Sequence, residues 1–200
     1  MKLIKPMYLK RLVGTIGICC CAAGLIAQTA DTTHPKKHKF ALYGGFGPNY
    51  YFNNLVIGKN YVNDFNYSFT GKLMWEPGHL LSLGIESGYY RLYTLNATGQ
   101  STAHIANSAV PLQLIISMKF LQSFHVDFSM GQSRLTNKVT SDAYGSFTTK
   151  AWSFADFSGT VGYRYPINPR FSIGAEAKYF YSTAFVDRNI ALIFMAGYHF

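Results

Sequence analysis

At 200 residues, with aromatic side chains at 16% and charged ones at only 14%, the chain is too apolar for a disordered segment and has the length of one domain. Its formal net charge of +9 falls to +5 once Lys2, Lys5, Lys10 and Arg11 are set aside, because 14 basic residues then face 9 acidic ones. That balance gives little support to nucleic-acid binding, and after Ala27 no apolar run approaches the roughly 18 residues of a membrane-crossing helix.

The first expected element is a secretory signal over residues 1–27: Met1-Lys2-Leu3-Ile4-Lys5, with Lys10 and Arg11, precedes an apolar stretch from Leu12 to Ala27. Cleavage after Ala27 would leave Gln28 as the new N-terminus. An uncleaved anchor is the first rival reading, against which the shortness of the apolar run counts. A lipoprotein is the second, because Cys19, Cys20 and Cys21 lie in the apolar stretch, but no small residue precedes Cys19. Cleavage removes all three cysteines, so an exported chain without disulfides must find its stability elsewhere. Residues 28–38 read as a short periplasmic tail. Its His34 and His38 offer metal-ligand chemistry, but a solvated tail accounts for them better.

From there the period is two. A glycine-rich strand is expected near Phe40 to Phe46. In residues 65–75, Phe65, Tyr67, Phe69, Leu73 and Trp75 alternate with Asn66, Ser68, Thr70 and Lys72, giving one apolar and one polar face. Pro77-Gly78-His79 makes a tight turn. The next strand sets Leu81, Leu83, Ile85, Tyr89, Tyr93 and Leu95 against Ser82, Gly84, Glu86 and Gly88. Val110, Leu112, Leu114, Ile116 and Phe120 then alternate with Gln113, Ser117 and Lys119. A turn near Gln122 leads to Phe124, Val126, Phe128 and Met130, which alternate with His125, Asp127 and Ser129. Phe157, Val161, Tyr163 and Tyr165 alternate with Asp156, Ser158, Thr160 and Arg164. Trp152 and Phe154 are out of phase with them, which implies a bulge near Ala155 or an excursion above the membrane. After a turn at Pro166-Ile167-Asn168-Pro169 come Phe171, Ile173, Ala175, Ala177 and Tyr179 against Glu176 and Lys178, and last Ile190, Leu192, Phe194, Ala196, Tyr198 and Phe200.

These segments make eight strands. Their connections alternate between short turns and longer loops at 47–60, 96–108, 132–148 and 184–188. A polar face made of small residues, an apolar face, and aromatics near the short turns (Trp75, Phe120, Phe124, Tyr163, Tyr165, Phe171, Tyr198) predict an eight-stranded antiparallel up-and-down transmembrane β-barrel over residues 39–200. An even strand count places both termini in the periplasm. Backbone groups in lipid must pair with one another, so the sheet must close. A soluble sandwich or lipocalin-like barrel is the rival, but its outer face would be charged.

The inward face carries Lys72, Lys119, Arg164 and Lys178 against Glu86, Asp127, Asp156 and Glu176. Charges in a narrow barrel can pair across strands, and the turn centres set Lys72 diagonally from Glu86, Lys119 from Asp127 and Lys178 from Asp156. Tyr90, Ile115, Phe180 and Met195 also face inward, so side chains are expected to fill the lumen. Catalysis has no visible site. His79, His104 and His125 are followed two residues later by Leu81, Ala106 and Asp127, so no His-x-Ser arrangement is present, and Ser117 and Ser129 reach His125 only by strand proximity. Neither a phosphate loop, a metal-ligand cluster nor a cofactor motif is legible, so no cofactor and no metal are expected.

The alternation from Phe40 to Phe200, closing on Phe194-Met195-Ala196-Gly197-Tyr198-His199-Phe200, resembles the small OmpA/OmpX/OmpW-like outer-membrane β-barrels, in particular the barrel-domain proteins common in Bacteroidetes. The Ala27-Gln28 junction fits the same group. The resemblance implies a Gram-negative cell-envelope protein whose terminal Tyr198 and Phe200 form the signal read by the barrel-assembly machinery. Expected partners are outer-membrane lipid and lipopolysaccharide, the latter through Arg91 on the outward face, and the expected state is a monomer. Functions in this family are diverse. A structural or surface-interaction role is expected first, a narrow porin-like path for small or apolar solutes second, and a lipid-modifying enzyme third.

Overall fold

The computed structural model describes residues 39–52, 61–77, 80–97, 102–121, 123–143, 145–184 and 186–200. The expected signal and tail, with Cys19, Cys20, Cys21, His34 and His38, lie outside them, as do Gly78, His79 and Gln122 in the expected turns. The strands are β1 (Lys39–Tyr51), β2 (Val62–Asn63), β3 (Phe65–Glu76), β4 (Leu81–Ala97), β5 (Ala103–Phe120), β6 (Phe124–Ser141), β7 (Gly145–Pro166), β8 (Phe171–Ser182) and β9 (Asp187–His199). Every pairing is antiparallel. β1 joins β3 to β9, and the sheet closes where β4 meets β5. Eight strands form the ring; β2 is a two-residue strand preceding β3 that pairs with the far end of β4.

The alternation read from sequence is the alternation of the wall. Lys72, Met74, Glu86, Ile115, Asp127, Glu176, Lys178 and Phe180 are buried within the ring, while Leu73, Leu83, Leu114, Phe128, Val161, Ile173 and Phe194 are exposed on its outer surface. Polar inside and apolar outside inverts the order of a water-soluble protein and fits lipid around the wall. At the short-turn end the outer surface carries aromatic pairs across strands: Phe124 on Tyr163 and Phe171 on Tyr198, each with ring centroids 5.0 Å apart.

Strand length departs from the sequence reading. The loop expected over 96–108 is already strand from Ala103, and that over 132–148 is strand up to Ser141 and again from Gly145, with a turn at 142–143. β5 pairs β6 from Phe120↔Phe124 to Ala103↔Ser141, and β6 pairs β7 on to Ser141↔Gly145. β1 likewise continues through Pro48 and Asn49 to Tyr51. Residues such as Asn137, Thr140 and Thr148 suit a strand in water, where both faces are wet and the apolar alternation is no longer required. The result is a wall of unequal height: β5 and β6 have 18 residues and β7 has 22, whereas β3 and β8 have 12. Above Asp156, β7 pairs only with β6, so its other edge is open from Gly145 to Ser153 among the described residues.

Two irregularities re-aim side chains. In β7 the register shifts so that Phe154 and Ala155 together oppose Gln132, a bulge being one of the two outcomes that the phase of Trp152 and Phe154 implied. In β4 an extra residue, Leu92, lies between Arg91↔Ser108 and Tyr93↔Asn107. Tyr93, assigned from alternation to the outer face, instead packs its ring against buried Tyr51 at 5.0 Å.

Candidate functional site

The short turns of β3–β4, β5–β6 and β7–β8 bring the charged inward residues to neighbouring heights. Lys72 on β3 stands opposite Glu86 on β4, but its ammonium does not pair with it. Nζ crosses the bore to Asp127 Oδ2 on β6 at 2.9 Å and to Glu176 Oε2 on β8 at 2.5 Å. Glu176 Oε1 also accepts from Arg164 Nη2 at 3.0 Å and faces His125 Nε2 at 2.9 Å, and Ser117 Oγ donates to Asp127 Oδ1 at 2.6 Å. Gly162 lies opposite both His125 and Glu176, and a side chain there would collide with the imidazole and the carboxylate arm.

A second group lies on each side of this centre. Lys178 pairs with Glu86, which also accepts from Thr70 Oγ1 at 2.6 Å, and the Lys178 ammonium sits 5.6 Å from the centroid of the Tyr90 ring. Toward the short turns, Glu76 accepts from Lys119 Nζ at 2.7 Å and from Tyr43 Oη at 2.7 Å, and the Arg164 guanidinium lies over the Tyr43 ring at 4.1 Å. On the other side, Tyr90 and Phe180 stack at 5.3 Å and 7° across the interior, with Ile115 and Ile193 buried beside them.

The expected diagonal partners are therefore corrected. Lys72 pairs with Asp127 and Glu176 instead of Glu86, Lys119 with Glu76 instead of Asp127, and Lys178 with Glu86 instead of Asp156. Long side chains inside a narrow ring span it more readily than they fold along the wall. Asp156 makes no ion pair among the described residues; it accepts from Ser153 Oγ and from the Thr183 backbone N–H. Reasoning from sequence omitted Glu76, Tyr43 and His125 from the network. Glu76 shares the phase of Lys72 along β3, and the proximity of the Pro77 turn obscured it.

Apart from the half-buried Lys119, these ions are largely removed from water, which is costly and is offset by close opposite charge in a medium of low dielectric. Lys72, Lys119, Arg164 and Lys178 are matched by Glu76, Glu86, Asp127 and Glu176. The ligand atoms of His125, Asp127 and Glu176 lie within 4.8 Å of one another, near enough to gather round a metal ion, but Lys72 and Arg164 already hold the same carboxylates. Ser117 donates to Asp127, and the Ser129 hydroxyl has no hydrogen-bond partner among the described residues, so neither serine is held against the His125 imidazole.

The outward residues fall elsewhere. Arg91 lies on the outer wall toward the long-strand end, its guanidinium 5.9 Å from the Tyr67 ring centroid and its Nη1 donating to Tyr67 Oη at 3.3 Å. Tyr198 and Phe200 have ring centroids 5.0 Å apart, and the Phe200 N–H donates to the Phe40 carbonyl at 2.8 Å.

Residues 17–200 match the family model described as an outer membrane protein beta-barrel domain. No curated protein matches the chain in sequence. Among solved structures, the chain is similar to Ail, the attachment invasion locus protein of Yersinia pestis, in complex with the heparin analogue sucrose octasulfate. There identity is 13% and TM-score 0.55, over 82% of this chain and 99% of that one. It is similar to the same degree to a major outer membrane protein from Thermus thermophilus, with 15% identity and TM-score 0.55 over 82% and 99% of the two chains. At such identities the likeness concerns the fold.

Proposed function

The chain belongs to the outer membrane protein beta-barrel domain family and is an integral protein of the outer membrane, and from that premise we propose that it is a closed barrel with a structural and surface-interaction role rather than a pore or an enzyme. The observation that carries this reading is Lys72. Its ammonium reaches carboxylates three strands away around the ring in both directions, and so bridges the bore at mid-height. Eight strands leave an interior that side chains can fill. With the Tyr90–Phe180 stack on one side and the Arg164–Tyr43–Glu76 group on the other, this interior has apolar and ionic barriers in series.

The surface-interaction part rests on the tall side of the wall. With the termini in the periplasm, β5, β6 and β7 rise on the extracellular side and present the free edge of β7 with exposed Phe147, Trp152 and Phe154. An open edge with aromatic side chains offers backbone pairing and apolar anchorage to a partner. Lipopolysaccharide contact belongs to the same outer surface, through Arg91.

Proteoliposomes carrying the purified protein test the closed reading. Uptake of arabinose and of glycine no faster than in protein-free vesicles is expected. Uptake that rises with the amount of protein reconstituted would replace this reading with the transport one.

A further inference from the structure

Beyond the charge network, toward the long strands, lies a cavity of about 330 Å³ lined by Tyr51, Tyr93, Asn107, Leu135, Asn137, Thr149, Ala151 and Asp187. We propose that this cup is a binding site for a small organic cation bearing a primary ammonium group, held by Asp187 between the Tyr51 and Tyr93 rings.

Charge is the first argument. Asp187 is 4% exposed and forms no ion pair among the described residues; Tyr51 Oη donates to its Oδ1 at 2.6 Å, and its Oδ2 has no partner. Buried Asp156, close enough for its charge to act on Asp187, is likewise without a cation, and its Oδ2 is also unpartnered. Among the described residues, the buried carboxylates Glu76, Glu86, Asp127 and Glu176 are matched by Lys72, Lys119, Arg164 or Lys178. Two neighbouring buried carboxylates without a cation must either take up a proton or bind a positive group, and a cationic occupant would satisfy them in their charged form.

Hydrogen bonding is the second argument. Asn107 is 7% exposed; its Nδ2 donates to Tyr93 Oη at 3.3 Å while its Oδ1 has no partner, and Asn137 Oδ1 has none either. With Asp187 Oδ2 that makes three oxygen acceptors on one cavity wanting donors, and no lysine, arginine or histidine is among the described residues that line it. A primary ammonium brings three N–H donors, where a quaternary one brings none. The two tyrosine rings, 5.0 Å apart and inclined at 41°, supply the aromatic faces that favour a cation.

Access and depth fit as well. Thr149 on the rim is exposed. Asn189 and Phe180 lie opposite each other one inward position deeper than the Asp187–Ser182 pair, and Phe180 stacks on Tyr90. Binding here is independent of whether the bore conducts, so flux and binding experiments fail separately.

The test uses the full exported chain refolded in detergent and titrated calorimetrically with benzylammonium chloride. Saturable binding is expected, weakened roughly ten-fold or more for neutral benzyl alcohol, for benzyltrimethylammonium, and for Asp187→Asn. The first two comparisons use the wild-type protein and stand even if the variant does not fold. No binding of benzylammonium, equal binding of the alcohol or of the quaternary ion, or an unchanged affinity in a folded Asp187→Asn barrel would each overturn the proposal. Displacement of benzylammonium by equimolar calcium chloride would overturn it in favour of an inorganic cation site.

Discussion

Lys72 directs its ammonium at two carboxylates and is shielded from water, so its charge cannot be removed without stranding Asp127 and Glu176. Lys72→Met should lower the stability of the folded barrel by about 3–5 kcal/mol, the range for breaking a buried ion pair from one side. Urea-dependent unfolding in lipid vesicles reads this directly. Combining it with Glu176→Gln should cost less than the sum of the two single changes, because the network loses one charge of each sign. A loss below about 1 kcal/mol for Lys72→Met would mean that water, not the protein, carries these charges. On the outer wall, Arg91 rests against Tyr67, and a cation there is tolerable only near the membrane boundary. Arg91→Ala should reduce the lipopolysaccharide that co-purifies with the protein. An unchanged amount would assign Arg91 to simple contact with its own wall and with water. Most of the inward residues, Tyr43, Glu76 and Tyr93 excepted, were legible from alternation. Their partners were not, because Lys72 reaches β6 and β8, three strands away in the ring, and such distances exist only after closure.

For the last strand we propose a greater part in assembly than in the stability of the finished fold. β9 pairs with β8 along its length and with β1 on its other edge. Phe200 follows it, 68% exposed, its ring against Tyr198 and its N–H on the Phe40 carbonyl. Deleting Phe200 should therefore cost the folded barrel only on the order of 1–3 kcal/mol, judged from apolar area. Before insertion the same strand would be an exposed edge in need of capture, and we propose the Phe200 ring as an anchor for that capture. The deletion variant should be sharply depleted in outer-membrane fractions, yet still refold in detergent to a heat-modifiable band. Normal insertion in cells, or failure to refold, contradicts that division of roles. For β6 and β7 the sequence was informative only where lipid demands alternation. The bulge at Phe154 and Ala155 announced itself as a break in phase. The upper hairpin did not, since Asn137, Thr140, Ser146 and Thr148 can form a ladder with both faces in water or remain a loop, and composition does not separate the two.

As a whole the molecule wears its apolar side chains outward and encloses its charges. Leu112, Leu114, Ile116, Phe128, Leu192 and Phe194 face out, and Lys72, Glu86, Asp127, Glu176 and Lys178 are sealed within. That inversion was legible from the period-two pattern, and it places the chain in a membrane by its strands, no helix among the described residues being long and apolar enough to cross one. The height of the wall, and the cup left beneath it between Tyr51 and Asp187, depend on pairings that no local pattern encodes. The central claim is that the bore is shut by its own side chains, and single-channel recording in a planar lipid bilayer tests it most directly. Insertion of the wild-type, heat-modifiable protein should leave the current at the level of a protein-free membrane, without steady openings. Long-lived openings of uniform size from the same preparation would contradict the account, because ions could then pass the Lys72 bridge and the Tyr90–Phe180 stack.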